Sequence, residues 1–241
     1  MKAQNNTYYI AYSINTEKKN KSSFKEEIEG QLSRAIEDFV KDGFIKDISV
    51  YSHSITAKQQ GTFETWDYLL LMQIKNKDEV QRLISALKTM SFSFATETIR
   101  LELLETTPES TYPVPCETVQ KRKAKPFYAV EYVDVQEQYL KEFRDIMISN
   151  NGPAMKYIMQ NKKWCYNMYA LETVTVFYHN PGYPTWNQIH VVGLYPESFI
   201  RYKKDFSEGL KRASHISFED NFERLKQIRT MLYKAIGRKI V

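Results

Sequence analysis

Between residues 150 and 190 the chain gathers Asn150, Asn151, Tyr157, Trp164, Tyr166, Asn167, Tyr169, Tyr178, His179, Trp186, Asn187 and His190. Aromatic rings with a few amide and imidazole groups suit a pocket for a planar organic ligand, since rings supply contact area and polar groups fix orientation. Trp164, Tyr166, Tyr169, Trp186 and His179 are the candidate walls. In a chain with 17 Tyr and 13 Phe, such rings also serve ordinary strand packing. His190 stands among apolar neighbours, where a neutral imidazole can act as a base, bind a metal or satisfy one buried hydrogen bond. His179 precedes a Pro-Gly turn. Glu131 and Glu172 sit where a strand carboxylate could partner a histidine. There is no metal-ligand spacing, no Ser-His-Asp elbow and no glycine-rich phosphate loop, so hydrolase, kinase and dinucleotide chemistry lack support and no metal site is assigned.

The elements that must position these residues repeat. His53 is followed by Thr65, Trp66 and Asp67 at the start of an apolar run; His179 is followed by Thr185, Trp186 and Asn187 at the start of another, with a shorter turn. Turns change length more easily than paired strands, so this is the pattern of a diverged hairpin duplication. A structural role in holding the turn explains both histidines. In the first half, a strand from Tyr8 to Ile14 precedes a helix capped by Ser22 or Ser23, carrying Phe24, Ile28, Leu32, Ile36 and Phe39 and ending at Gly43. A hairpin (44–55 and 65–74), a helix from Asp78 and a strand (96–105) complete a βαββαβ unit.

The second half restarts at Phe127 with a strand, a helix from Gln136 to Ile148, and a break at Asn150, Asn151, Gly152 and Pro153 before a short helix. A hairpin of 167–179 and 186–195 and a helix from Ser198 to Ala213 follow. From Ser217 the apolar positions Phe222, Leu225, Ile228, Leu232 and Ile236 keep helical spacing up to Gly237, so the closing strand of this half is expected to be missing or reduced to a few residues near its end. The expected domains are a first ferredoxin-like repeat over 1–107, a Pro-rich basic linker over 108–126 with Lys121, Arg122, Lys123 and Lys125 as solvated charge, and a second repeat over 127–241. On the run from Trp186, the mostly small and apolar set Asn187, Ile189, Val191, Gly193 and Tyr195 reads as the helix-covered face. The mixed set Trp186, Gln188, His190, Val192 and Leu194 reads as facing ligand or solvent.

With 241 residues, 42% hydrophobic and 26% charged, the chain can bury a substantial core. Its apolar stretches fall far short of the roughly 20 residues that cross a bilayer, and its start lacks an export pattern, so a cytoplasmic, non-membrane protein is expected. Cys116 and Cys165 form no metal or redox motif. A formal charge of +5 with interspersed signs is weak support for a polyanionic partner.

Two ferredoxin-like units with helices on one face of each sheet leave two faces to cover. Packing those together gives an α+β protein folded as an α/β barrel, with a cavity expected between the sheets. In element order, in the doubled His and Thr-Trp-Asp/Asn pattern and in its aromatic-rich first strands, the chain resembles the dimeric α/β barrel superfamily. That group includes antibiotic-biosynthesis monooxygenases, stress-responsive barrel proteins and heme-degrading or heme-binding relatives. The resemblance implies a small-molecule ligand, either a cofactor-independent oxygenase acting on an aromatic or polyketide-like compound or a non-catalytic binding protein, including heme binding through His190 or His179. In the oxygenase reading Trp164 and Trp186 are walls, Asn151 and Asn187 amide donors for developing negative charge, and His190 the general base. It also implies association of copies through exposed strand edges. RNA binding, which the split βαβ framework also supports, is disfavoured by the missing basic-glycine-aromatic strand pattern.

Overall fold

The computed structural model describes residues 7–17, 21–61, 66–90, 92–93 and 96–240; Thr65 and the side chain of Ser22 fall outside them. The first half contains β1 (Tyr8–Thr16), α1 (Lys21–Lys41), β2 (Ile45–Gln59), β3 (Tyr68–Ile74), α2 (Val80–Lys88) and β4 (Thr96–Thr106). A short α3 (Glu117–Gln120) precedes β5 (Phe127–Val135), α4 (Leu140–Ile146), α5 (Gly152–Tyr157), β6 (Cys165–His179), β7 (Gln188–Leu194), α6 (Ser198–Ala213), α7 (Phe218–Ile228) and β8 (Arg229–Lys239). The strands form one antiparallel closed barrel in the order β1-β3-β2-β8-β5-β7-β6-β4, and β4 pairs back to β1. Every named strand therefore has two neighbours, and among the described residues no strand of the barrel offers the exposed edge that was expected.

The barrel interior is a packed core. Tyr9, Tyr51, Trp66, Leu69, Leu71, Tyr128, Tyr132, Tyr169, Trp186, Ile189, Val191 and Tyr233 meet there, fully or almost fully buried. The expected hollow between the two sheets is thus filled with rings and aliphatic side chains. Two further clusters lie outside the barrel, between sheet and helices. In the first half, Phe24, Ile28, Leu32 and Ile36 of α1 and Leu83, Ile84 and Leu87 of α2 close over Tyr12, Leu70 and Met72. Their 3.6-residue spacing puts them on one helix face, and Gly43, at a φ of +67°, supplies the left-handed turn that ends the segment.

The doubled landmarks occupy corresponding places. His53 meets the Trp66 ring edge-on at 5.7 Å and His179 meets Trp186 edge-on at 5.8 Å. His179 Nε2 also lies 3.1 Å from the Tyr183 carbonyl oxygen, across its own turn.

Three expectations about individual segments also change. The helix begun at Ser217 stops at Ile228, and the chain continues as an 11-residue strand, β8, between β2 and β5. Leu232 and Ile236 keep helical spacing from Ile228, but Tyr233 and Ala235 fill the barrel while Lys234 and Ile236 face outward. Gly237, read as a helix stop, is a strand glycine: a Cβ there would lie 2.2 Å from the Ser52 carbonyl oxygen on β2. Second, helical backbone runs without a break over 137–162, with π-turns at Met147–Asn151 and Ile158–Lys162 flanking α5. Gly152 lets residues 109–110 pass closely, since a Cβ would come within 1.9 Å of the Glu109 carbonyl oxygen. Third, residues 108–126 are not simply a solvated connector. Tyr112 bridges Met168, Ser110 Oγ donates to the Met147 carbonyl oxygen at 2.7 Å, and Val119 is fully buried. Within the basic run, Lys121, Lys123 and Lys125 are exposed and Arg122 pairs with Glu197 at 2.9 Å.

Candidate functional site

A cavity lies between the outer face of the second-half strands and the helices that cover them. It holds about 290 Å³ and is walled by Met147, Met155, Trp164, Met168, Phe206 and Phe222. Its floor comes from alternate residues of three adjacent strands: Ala129 and Glu131 of β5, His190, Val192 and Leu194 of β7, and Arg229, Lys234 and Ile236 of β8. Helix cover on β7 therefore falls on the face opposite to the one the sequence reading gave, although the mixed set does line the cavity. His190, Val192 and Leu194 lie beneath helices, and Ile189 and Val191 fill the barrel. Period two fixes which residues share a face, not which layer covers it.

The register places three ionisable residues side by side, because Glu131 is directly opposite His190 on one neighbour and Lys234 on the other. Lys234 Nζ is 2.9 Å from Glu131 Oε1, and His190 Nδ1 is 3.7 Å from Glu131 Oε2. Burial alone would raise the Glu131 carboxyl, but Lys234, His190 and Arg229 outweigh it and hold the group well below the usual carboxylate range. The same carboxylate raises the Lys234 ammonium. Burial lowers the Arg229 guanidinium, with Glu131 opposing; an arginine so placed still carries its charge. His190 stacks parallel to Phe143, centroids 6.1 Å apart, and its buried Nε2 has no hydrogen-bond partner among the described residues.

Of the sequence candidates, His190, Asn151 and Trp164 line this cavity. Trp164 is fixed by donating Nε1–H to the buried Asp205 Oδ2 at 2.8 Å, and Arg201 backs that carboxylate at 3.1 Å. Asn151, placed by the first π-turn, accepts from Asn221 Nδ2 at 2.8 Å and directs its own amide at Met147 Sδ, 3.4 Å away.

The others lie elsewhere. Asn187 clips the end of β5, accepting from Val135 N at 2.9 Å and donating to Val135 O at 2.8 Å, so its amide is engaged with backbone. Tyr169 packs inside the barrel edge-on to Tyr9. Trp186 is also inside, donating to Glu102 Oε1 at 2.7 Å beneath the Arg100 guanidinium. Tyr166 leans edge-on to Tyr195, and His179 serves its turn. Glu131 is the partner of His190, whereas Glu172 accepts from Thr107 Oγ1 at 2.8 Å. The methionines, Arg229 and Lys234 were not picked out from sequence. The helical reading of 217–236 conceals both cations.

Among the described residues no group of three His, Cys, Asp or Glu side chains is placed to hold a metal ion, and no helix is long and apolar enough to cross a membrane. No protein-family model matches the chain, and no curated protein matches it. Solved structures do. A mutant chlorite dismutase from Candidatus Nitrospira defluvii in complex with cyanide superposes with a TM-score of 0.51 at 10% identity, over 98% of this chain and 91% of that one. A protein provisionally assigned as a chlorite dismutase gives 0.52 at 8% identity, over 98% and 95%. A provisionally assigned monooxygenase from Lactobacillus acidophilus NCFM gives 0.49 at 9% identity, over 97% and 93%. At such identities the likeness to the chlorite dismutases is one of fold: an antiparallel eight-stranded α+β structure of ferredoxin-like type.

Proposed function

We propose that this protein binds a planar small molecule in the second-half cavity, with His190 as the polar group that meets it. The observation that carries the reading is the unpartnered, buried Nε2 of His190 at an apolar cavity, its other ring nitrogen backed by a carboxylate. An imidazole with one ring nitrogen beside a carboxylate and the other turned to an apolar cavity is placed to accept a proton or to bind a ligand. The geometry favours binding over the oxygenase arrangement. Asn187 is engaged with Val135 and Asn151 with Asn221 and Met147, so the two amides do not converge with His190 on one reacting centre.

A heme ligand is the second reading, supported by the same His190 geometry, because a carboxylate-backed imidazole with a free Nε2 is a donor that heme iron accepts. His190 would hold the iron and Trp164 and the methionines would flank the macrocycle; heme itself would supply redox chemistry. The cavity, about 290 Å³, stands at the small end of ligand pockets, so a porphyrin must displace side chains of α6 whereas a compound of two or three rings fits without this. Hemin titration of the full chain tests the heme reading. A Soret band that His190→Ala removes and His179→Ala retains supports it, and a band indifferent to His190 or no band at all rejects it.

A further inference from the structure

The charges in the cavity do not balance, and this says what kind of molecule enters it. Glu131 is the carboxylate of the set, and both its oxygens are committed, one to Lys234 and one to the His190 side. Arg229 is the cation left over. It stands where α7 gives way to β8, lines the cavity, and lies 5.6 Å from the centroid of the Phe143 ring. Among the described residues its side chain makes no hydrogen bond and no ion pair, although the other cation lining the cavity, Lys234, is paired. Glu131 acts on Arg229 through space but is already paired with Lys234, so the cations outnumber the carboxylate, and a partly buried charge without a counter-charge of its own costs free energy that a bound anion recovers. A guanidinium presents a planar fork of donors that matches an acidic group in two parallel hydrogen bonds.

We infer that the cavity selects an aromatic acid, a molecule of two or three rings with one anionic group, and that Arg229 receives that group while the apolar wall holds the rings. The inference rests on the cavity being the binding site and adds to it the charge of the ligand. The surplus of one positive charge fits a single acidic group, and Ser198 adds a buried hydroxyl at the same wall. The helix-facing surface of the first half has no such requirement, since apolar residues fill it.

Two fluorescent probes differing in one group test this with the full chain: anilinonaphthalene sulfonate, and N-phenylnaphthylamine, which has the same rings without the sulfonate. Unmodified protein is expected to bind the sulfonate at least tenfold more tightly. Arg229→Met, which keeps side-chain length and removes charge, should erase that preference and leave the neutral probe's affinity unchanged, with Arg229→Lys between the two. Equal affinity of unmodified protein for both probes, a comparison that needs no variant, overturns the inference while the cavity reading stands. So does a sulfonate preference that survives in Arg229→Met. Binding of neither probe, or binding of both undiminished by Val192→Trp, which fills the cavity from β7, overturns the cavity reading and this inference together.

Discussion

At one level of the barrel the two halves place the same kind of strand triplet beneath their helices and fill it with opposite chemistry. In the first half Tyr12 of β1 lies opposite Leu70 on β3 and Leu101 on β4. In the second, Glu131 of β5 lies opposite His190 on β7 and Lys234 on β8. Above the first triplet a continuous α1 of 21 residues seals an apolar layer. Above the second, π-turns on both sides of α5 accompany a cavity walled by methionine and aromatic side chains. The comparison teaches that similar strand triplets can lie under a closed apolar layer or under an open cavity, the difference being three residues in register and the regularity of the helix above them. π-turns recur at functional sites because they shift side chains out of helical register.

Four substitutions break or sharpen this contrast, and the largest stability loss is expected from the first. Leu70→Ala removes a fully buried side chain from a filled layer and is expected to cost about 2–5 kcal/mol in urea denaturation, with probe binding at the cavity unchanged. His190→Ala, at the matching position, borders space already open. It should cost about 1 kcal/mol and abolish His190-dependent ligand binding. A stability loss as large as that of Leu70→Ala, with binding intact, would make His190 a core residue.

Glu131→Gln leaves Lys234 without its counter-charge. With Lys234 35% exposed, solvent screening limits the expected loss to about 1–2 kcal/mol at neutral pH. The pH dependence has a definite sign. A folded-state carboxyl held below its unfolded value near about 4.3 contributes stability that is fully present above that pH and is lost as pH falls through the depressed folded value. Thermal melts between neutral and acid pH should therefore show a steeper acid decline in the unmodified protein than in Glu131→Gln; parallel curves would contradict the pairing. Trp164→Phe keeps an aromatic wall but removes the hydrogen bond to Asp205. It is expected to cost about 1 kcal/mol, read by the same denaturation.

Much of the frame was legible in the residues. The paired His and Trp landmarks, the helical stripe from Phe24 to Phe39, and the strands opening at Tyr8 and Phe127 follow from short-range periodicities and turn residues. The site was legible in part. His190, Asn151 and Trp164 were named and do line one cavity, and Glu131 was named as a histidine partner. Trp186, Tyr169 and Asn187 share the composition of a pocket wall but serve the barrel core and a backbone clip. Residue type does not distinguish a ring that meets a ligand from one that meets another ring.

The sequence by itself determined the order of most elements, the alternation along each strand and the aromatic character of the second half, since these depend on neighbours within a few residues. Tertiary structure alone decided which face of β7 lies under helices, that the stretch after Ile228 is a strand, and that Arg229 and Lys234 stand beside Glu131. Those outcomes arise from pairing between segments far apart in the chain. Residues 229–239 extend because β2 and β5 offer backbone partners on both sides, a choice that no local spacing encodes.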